Sequence, residues 1–145
     1  MLTEVGQQTS AGVASPNFPH LAEAIPLLAL QGVKAERYVF EDPVTALFKL
    51  RQFAEILAQQ VAASTGLYTS TEEPQTDLLR RLKDARIIDF EVADLFHALR
   101  KAGNAAVHDN VGTRRDALHG LRIAWKLGVW FQRAFKNPAF KSGPF

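Results

Sequence analysis

The segment VADLFHALRKAGNAAVH, residues 92–108, places apolar and polar side chains on opposite sides of a helix. At 100° per residue, each group falls within one half of the helical circumference. The apolar side comprises Val92, Leu95, Phe96, Leu99, Ala102 and Ala106, and the polar side comprises His97, Arg100, Lys101, Asn104 and His108. This pattern predicts a helix that gives one face to a core and presents two imidazoles, two cations and an amide on the other.

Two polar side chains at the end of this helix are candidates for chemistry. Asn104 and His108 stand four residues apart, and side chains at this spacing are neighbours on a helix surface. An amide beside an imidazole could hold a phosphate or move a proton. The same spacing is also typical of a solvated polar face that ends in Asn and His, and spacing alone favours this simpler interpretation.

Helix signals continue on both sides of this segment, whereas strand signals are nearly absent. Asp42-Pro43 supplies an N-cap and a first helical residue, so a helix is predicted from there to Ser64, before Gly66. Further helices are predicted over residues 26–40, 74–85 and 113–136. Because no alternating run of β-branched residues exceeds a few positions, the sequence predicts an all-α bundle of four to five mostly antiparallel helices.

The composition predicts a single helical domain between two irregular segments. Residues 1–17 are polar and rich in Gly, Ser and Ala without periodicity, which is typical of a flexible arm. Residues 18–136 carry the helical periodicity. Residues 137–145 lack it and are predicted to begin a linker to a further, downstream domain.

The last predicted helix carries a row of basic side chains. Arg115, His119, Arg122, Lys126 and Arg133 fall within about 60° of one another on the helical wheel, with no acid among them. The rest of the helix is apolar on two sides and includes Trp125, Trp130 and Phe131. These aromatic residues would either fill the core or contact a second copy of the chain in a homodimer.

The overall composition excludes several classes of site. The chain has 145 residues and no cysteine, so disulfides, thiol nucleophiles and Cys-based zinc sites are excluded. The four histidines are far apart and lack metal-ligand spacing, so we expect no metal site, and no motif calls for a cofactor. No apolar run has the length of a membrane span and no secretory signal is visible, so we expect a cytoplasmic protein without a membrane partner.

Charge is distributed unevenly along the chain. Residues 1–79 have a balance of −5 and residues 80–145 a balance of +7, although the whole chain carries only +2. The carboxy-terminal half would therefore attract an anionic partner. Alternatively, the cations of the last helix pair with carboxylates on the first two helices, and the sequence leaves both possibilities open.

Metal-independent RNA cleavage is one reaction that the 92–108 helix could support. It needs an acid or base near the 2′-hydroxyl and a cation on the scissile phosphate. His108 suits the first role, but Arg100 lies eight residues back, about 12 Å along the axis. The two would converge easily only if a second chain supplied one of them.

Several segments resemble a known family. The helix ending LRKAGNAAVH is similar to the signature helix of the HEPN superfamily, whose nuclease members carry an Arg-Asn-x-x-x-His pattern. The wider chain resembles a domain of unknown function at the amino terminus of type I restriction enzyme R subunits. The matching segments are Ala35-Glu-Arg-Tyr, residues 42–55, Leu-Leu-Arg-Arg-Leu at 78–82, residues 125–131 and the closing residues 135–145.

The resemblance implies a fold and a role. Asn104 and His108 match the nuclease pattern, but Gly103 stands where that pattern has its arginine. What is implied is therefore a non-catalytic, HEPN-like accessory domain that docks a partner or binds nucleic acid. Its parent would be an R subunit, an ATP-dependent DNA translocase and site-specific deoxyribonuclease, with other restriction-system subunits or domains as partners.

The candidate residues divide between this role and an alternative one. For binding DNA, RNA or a partner subunit, the candidates are Arg100, Lys101, Arg115, His119, Arg122, Lys126 and Arg133. The alternative function is a metal-independent ribonuclease of toxin type. It would use His108 as acid or base, with Asn104 and Arg100 as further site residues.

Overall fold

The computed structural model describes residues 17–21 and 25–145, which form five α-helices and no strand. The helices are α1 (Pro26–Tyr38), α2 (Pro43–Ser64), α3 (Gln75–Asp84), α4 (Phe90–Asp109) and α5 (Arg114–Phe131). A 3-10 turn (Pro19–Leu21) precedes α1, and a π-helical turn (Gln132–Lys136) follows α5. The prediction of an all-α bundle is confirmed. Residues 1–16, nearly all of the predicted arm, lie outside the described residues.

Helix α2 is the central element of the bundle, because it packs against each of the other four helices. Its buried side chains are Ala46, Leu47, Leu50, Phe53, Ala54, Leu57, Ala58, Val61 and Ala62. Nearly half of these are alanines, which let neighbouring helices approach closely. Phe53 also meets the ring of Phe18 at 5.4 Å between centroids, so residues before α1 join the same core.

Helix α4 runs antiparallel to both α2 and α5. Leu47, near the start of α2, lies against Gly112, just beyond the end of α4, whereas Arg51 lies against Gly103 further back. Leu99 of α4 likewise meets Gly120 of α5 across the short connection between these two helices. The α4–α5 hairpin therefore places the predicted signature helix beside the predicted basic helix.

The predicted helix starts are explained by their capping bonds. Asp42 accepts a bond of 3.1 Å from the Thr45 amide at the start of α2, and Asp89 accepts one of 2.9 Å from the Val92 amide. At α5 the Thr113 hydroxyl and the Asp116 carboxylate each accept a bond from the other residue's backbone amide, which forms a capping box. These side chains satisfy amide groups that would otherwise lack a partner.

The carboxy-terminal end differs from the prediction. The sequence predicts a last helix that continues to residue 136, but α-helical geometry ends at Phe131 and Gln132–Lys136 forms a π-turn, closed by a 2.7 Å bond from the Asn137 amide to the Gln132 carbonyl. A second turn at Asn137 then reverses the chain, because the Phe140 amide donates to the Asn137 carbonyl. Residues 137–145, which we call the tail, consequently lie back along α5.

None of the helices formed by the described residues combines the length and apolar character that crossing a bilayer would require.

Candidate functional site

The polar side of α4 is only partly open to solvent. His97, Arg100 and Asn104 are half-buried, whereas Lys101 and His108 are exposed. Within the described part of the chain, the Nδ1 atom of His97 and the Nε atom of Arg100 are buried without a hydrogen-bond partner. The two cations predicted on this face therefore differ in solvent exposure, because Lys101 is exposed and Arg100 is half-buried.

Gly103 is placed where a larger side chain has no room. A Cβ atom added at Gly103 would clash with the Cβ of Arg51, at the crossing of α4 with α2. Contacts below 3.0 Å to an atom so near the backbone require a helix to shift. An arginine at this position, as in the nuclease pattern, is therefore incompatible with this helix crossing.

The structure does not assemble the predicted ribonuclease group around one phosphate. Asn104 and His108 lie one turn apart near the end of α4, and Asn110 ends that helix in a left-handed conformation. Arg100 remains two turns away from His108, about 12 Å along the axis, with one guanidinium nitrogen buried. Gly103, between them, contributes no cation.

The basic row on α5 is exposed along its whole length. Arg115, His119, Arg122, Lys126 and Arg133 are all on the surface. The three ion pairs among the described residues are elsewhere, between Arg51 and Glu55, Arg80 and Asp77, and Arg81 and Glu73. The alternative in which carboxylates of the first two helices neutralise this row is therefore not seen in the described part of the chain.

One acid lies near the start of the row, and it is already engaged. Asp116 accepts bonds from the backbone amide and the hydroxyl of Thr113, which hold the pKa of its carboxyl below the usual range. Its charge therefore serves the amino terminus of α5, where the helix dipole favours an anion. The cations beyond it remain without a carboxylate partner among the described residues.

The aromatic residues of α5 divide between core and surface. Phe131 is fully buried, whereas Trp125 and Trp130 are half-buried. Trp130 meets Phe96 edge-on at 6.4 Å between centroids, which ties it to α4. Trp125 instead contacts the tail, where its ring lies 5.6 Å from that of Phe145.

The tail contributes residues to this surface that the sequence interpretation does not include. Phe145 contacts two side chains of α5: its ring centroid lies 5.1 Å from the Arg122 guanidinium carbon and 5.6 Å from the centre of the Trp125 ring, with the two rings tilted by 58°. Arg133 donates a 2.9 Å bond to the Phe140 carbonyl. The sequence predicts that residues 137–145 start a linker, and the two phenylalanines are the signal in it that this segment packs against something.

Two grooves adjoin this contact. One, of about 240 Å³, is lined by Arg115, Leu118, His119, Arg122 and Phe145. The other, of about 630 Å³, is lined by Trp125, Lys126, Val129, Trp130, Arg133, Ala134 and Ser142. Together they bring all five members of the basic row beside exposed apolar or aromatic surface.

A third pocket, between α4 and α5, is mostly apolar. It measures about 260 Å³ and is lined largely by alanines and leucines, with Asp116 and His119 as its ionisable side chains. Within the described residues, no three His, Asp or Glu side chains are grouped so as to hold a metal ion. The ionisable groups that the fold brings together are mainly cations.

Comparisons with known proteins identify the family of the chain. Residues 33–127, well over half of the chain, match the family described as a domain of unknown function, DUF4145. The chain belongs to the DUF4145 family. The match covers α2, α3 and α4 completely, most of α5 and the second half of α1.

A relative of known activity shares part of this sequence. The chain is 36% identical over 99 residues to the type I restriction enzyme EcoKI endonuclease subunit of Escherichia coli (strain K12). The aligned segment is 68% of this chain but only 8% of that subunit. Together with the family match, this similarity supports a restriction-enzyme-related domain. No solved structure matches the chain.

Proposed function

We propose that this DUF4145 domain is a non-catalytic accessory module of a type I restriction system and that it binds nucleic acid through the basic row of α5. The parent would be an R subunit in the cytoplasm, with other restriction-system subunits as partners. The bundle would be a HEPN-like fold that has kept the scaffold without the cleavage site. The similarity to an endonuclease subunit supports the setting, and the exposed basic row supports the mode of binding.

The observation that carries this proposal is the continuous cationic surface of α5. Arg115, Arg122, Lys126 and Arg133 are exposed, and within the described residues none of them is within ion-pair distance of a carboxylate. Exposed cations in a row interact with successive phosphates and release the counterions bound there. His119 adds a further donor to the same row.

Helix α4 is placed outside the proposed interface. Arg100 has its Nε buried, and His97 beside it is half-buried with its Nδ1 unpartnered among the described residues. Lys101 is exposed, but the polar side of α4, on which it lies, also faces Lys83 of α3. Phosphate binding is therefore assigned to α5 alone.

A salt titration of duplex and single-stranded DNA binding tests the proposal. Four permanent cations predict that log K falls against log salt with a slope of about −3 to −4. The variant Arg122→Ala/Lys126→Ala should weaken binding and reduce that slope by about 1.5 to 2. The matched control Arg37→Ala/Lys49→Ala removes the same charge from α1 and α2 and should leave the slope unchanged.

Two outcomes would contradict the proposal. The first is no measurable binding to either form of DNA in low salt, which would leave docking to a partner subunit as the role of this face. The second is an equal loss of slope in the control variant, which would show attraction by net charge rather than by the α5 row.

A further inference from the structure

The tail places an aromatic ring in a specific position on α5. The ring of Phe145 contacts two side chains of α5: the Arg122 guanidinium lies over it at 5.1 Å, and the Trp125 ring meets it at 5.6 Å between centroids with a tilt of 58°. Residues 122 and 125 are three apart, so their side chains are neighbours on one face of the helix. The surface that these two side chains form, which we call the slot, holds a flat ring in this structure.

The chemistry of this slot matches that of an unpaired nucleobase. Proteins hold unstacked bases on aromatic side chains and on arginine guanidinium planes, because every base has a flat π-face. Arg122 and Trp125 provide one group of each kind. In a duplex the bases are already stacked and paired, so only a single strand offers a ring that can enter the slot without cost of unpairing.

The grooves on either side supply a path for the backbone of such a strand. The smaller groove carries Arg115 and His119, and the larger carries Lys126 and Arg133. From residue 115 to residue 126 the row extends about 17 Å along α5 at 1.5 Å per residue, and Arg133 continues it in the π-helical turn that follows.

We infer that α5 binds single-stranded nucleic acid, with one base held against the Arg122 guanidinium and the Trp125 ring in the place that Phe145 occupies in this structure. This inference rests on the proposed function and narrows its ligand to an unpaired strand. The tail competes with the strand, because Phe145 fills the slot and the Arg133 guanidinium is held by the Phe140 carbonyl. When the tail is displaced, the slot and the Arg133 guanidinium become free together.

The fluorescence of Trp125 tests whether a strand enters the slot. The chain has two tryptophans, so Trp130→Phe leaves Trp125 as the only one. In that background, a ten-nucleotide oligodeoxythymidylate should quench Trp125 emission as it binds, and anisotropy of a labelled strand gives the affinity. Trp125→Ala in the unmodified chain should weaken single-strand binding by about fivefold to a hundredfold, the usual effect of losing one stacked base.

Three further variants separate stacking from folding and from charge. Trp125→Phe should restore most of the affinity, because a phenyl ring still stacks. Phe145→Ala should strengthen binding by roughly two- to tenfold, since more of the protein has the slot open. Leu27→Ala, an exposed apolar change on α1 and outside both grooves, should leave the affinity unchanged. Circular dichroism confirms that each variant is folded.

The outcomes distinguish this inference from the proposed function. Binding of a duplex as tightly as a single strand, insensitive to Trp125→Ala but weakened by Arg122→Ala/Lys126→Ala, would overturn the inference and leave the proposed function intact. Unchanged or weaker binding by Phe145→Ala would overturn the competition between tail and strand. Absence of binding to both forms of DNA would remove the inference and the nucleic-acid role together.

Discussion

Helices α4 and α5 have the same pattern in sequence but different surroundings in the fold. Each has an apolar stripe opposite a row of cations and histidines. Helix α4 packs against α2, α3 and α5, and part of its polar row is buried by these contacts. Helix α5 keeps its basic row exposed, and the segment found over it is the tail. Cations on a helical wheel therefore identify a binding surface only where no other helix covers them.

The sharpest test of this difference is the helix crossing at Gly103. Alanine is a better helix former than glycine by about 1 kcal/mol, so Gly103→Ala at an open position would stabilise the protein. At this crossing the added Cβ would meet the Arg51 Cβ, and we expect a net loss of about 1–3 kcal/mol in the free energy of unfolding. Urea denaturation measures it.

A double variant shows whether that loss comes from the crossing itself. Arg51→Gly removes the Cβ that the new methyl would meet, so Gly103→Ala should cost less in that background than in the unmodified chain. Stabilisation by Gly103→Ala alone would mean that α4 and α2 are further apart than described. Crowding by Arg51 would then no longer account for the missing arginine at position 103.

The sequence predicted the helices well where local signals define their ends. The helix over residues 43–64 begins at a capped proline and ends just before Gly66, whose φ of +77° favours glycine. Helix α4 begins two residues earlier than the predicted segment, because Asp89 caps it directly. Both cases depend on side chains next to the helix end in sequence.

The features that the sequence could not supply depend on contacts between distant residues. The crowding at Gly103 comes from Arg51, and the packing of the tail comes from Phe145 on Trp125 and from Phe140 on His20. On a helical wheel, Arg100 and Arg122 both fall on polar faces. In the fold, however, Arg100 is half-buried and Arg122 is exposed. A polar face is buried or exposed according to which helix packs across it. The spacing of residues along one helix does not predict that packing.

The pH dependence of stability gives a smaller effect that also separates the two helices. Burial, together with nearby Arg100, Lys101 and Lys83, lowers the pKa of His97 below its ordinary value of 6.5, against a weaker opposing effect of Asp94. Burial likewise lowers the pKa of His20. Between these lowered values and about 6.5 the unfolded chain binds more protons, so the fold is most stable above this range and loses stability as the pH falls through it.

Removing His97 should flatten that decline. We expect His97→Gln to lose less stability than the unmodified chain between about pH 7 and pH 5, and His20→Gln/His97→Gln to lose less still. Chemical denaturation across this pH range gives both slopes. A His97→Gln variant with the slope of the unmodified chain would mean that its imidazole is solvated in the fold, and that α4 is as open as α5.

The smallest expected effect concerns His108, which the alternative function would make catalytic. Cleavage of RNA needs a cation at the scissile phosphate as well as an imidazole. Gly103 has no space for an arginine, and Arg100 is two turns away with its Nε buried. We therefore expect the unmodified chain and His108→Ala to leave a labelled RNA equally intact under conditions that support binding.

The contradicting outcome is cleavage of RNA by the unmodified chain that is lost in His108→Ala and in Asn104→Ala but kept in Arg122→Ala/Lys126→Ala. This result would place an active site on α4. A second chain could supply the missing cation in a dimer. The assay should therefore be run at concentrations that favour the monomer and at concentrations that favour the dimer, with the molecular mass in solution measured at each.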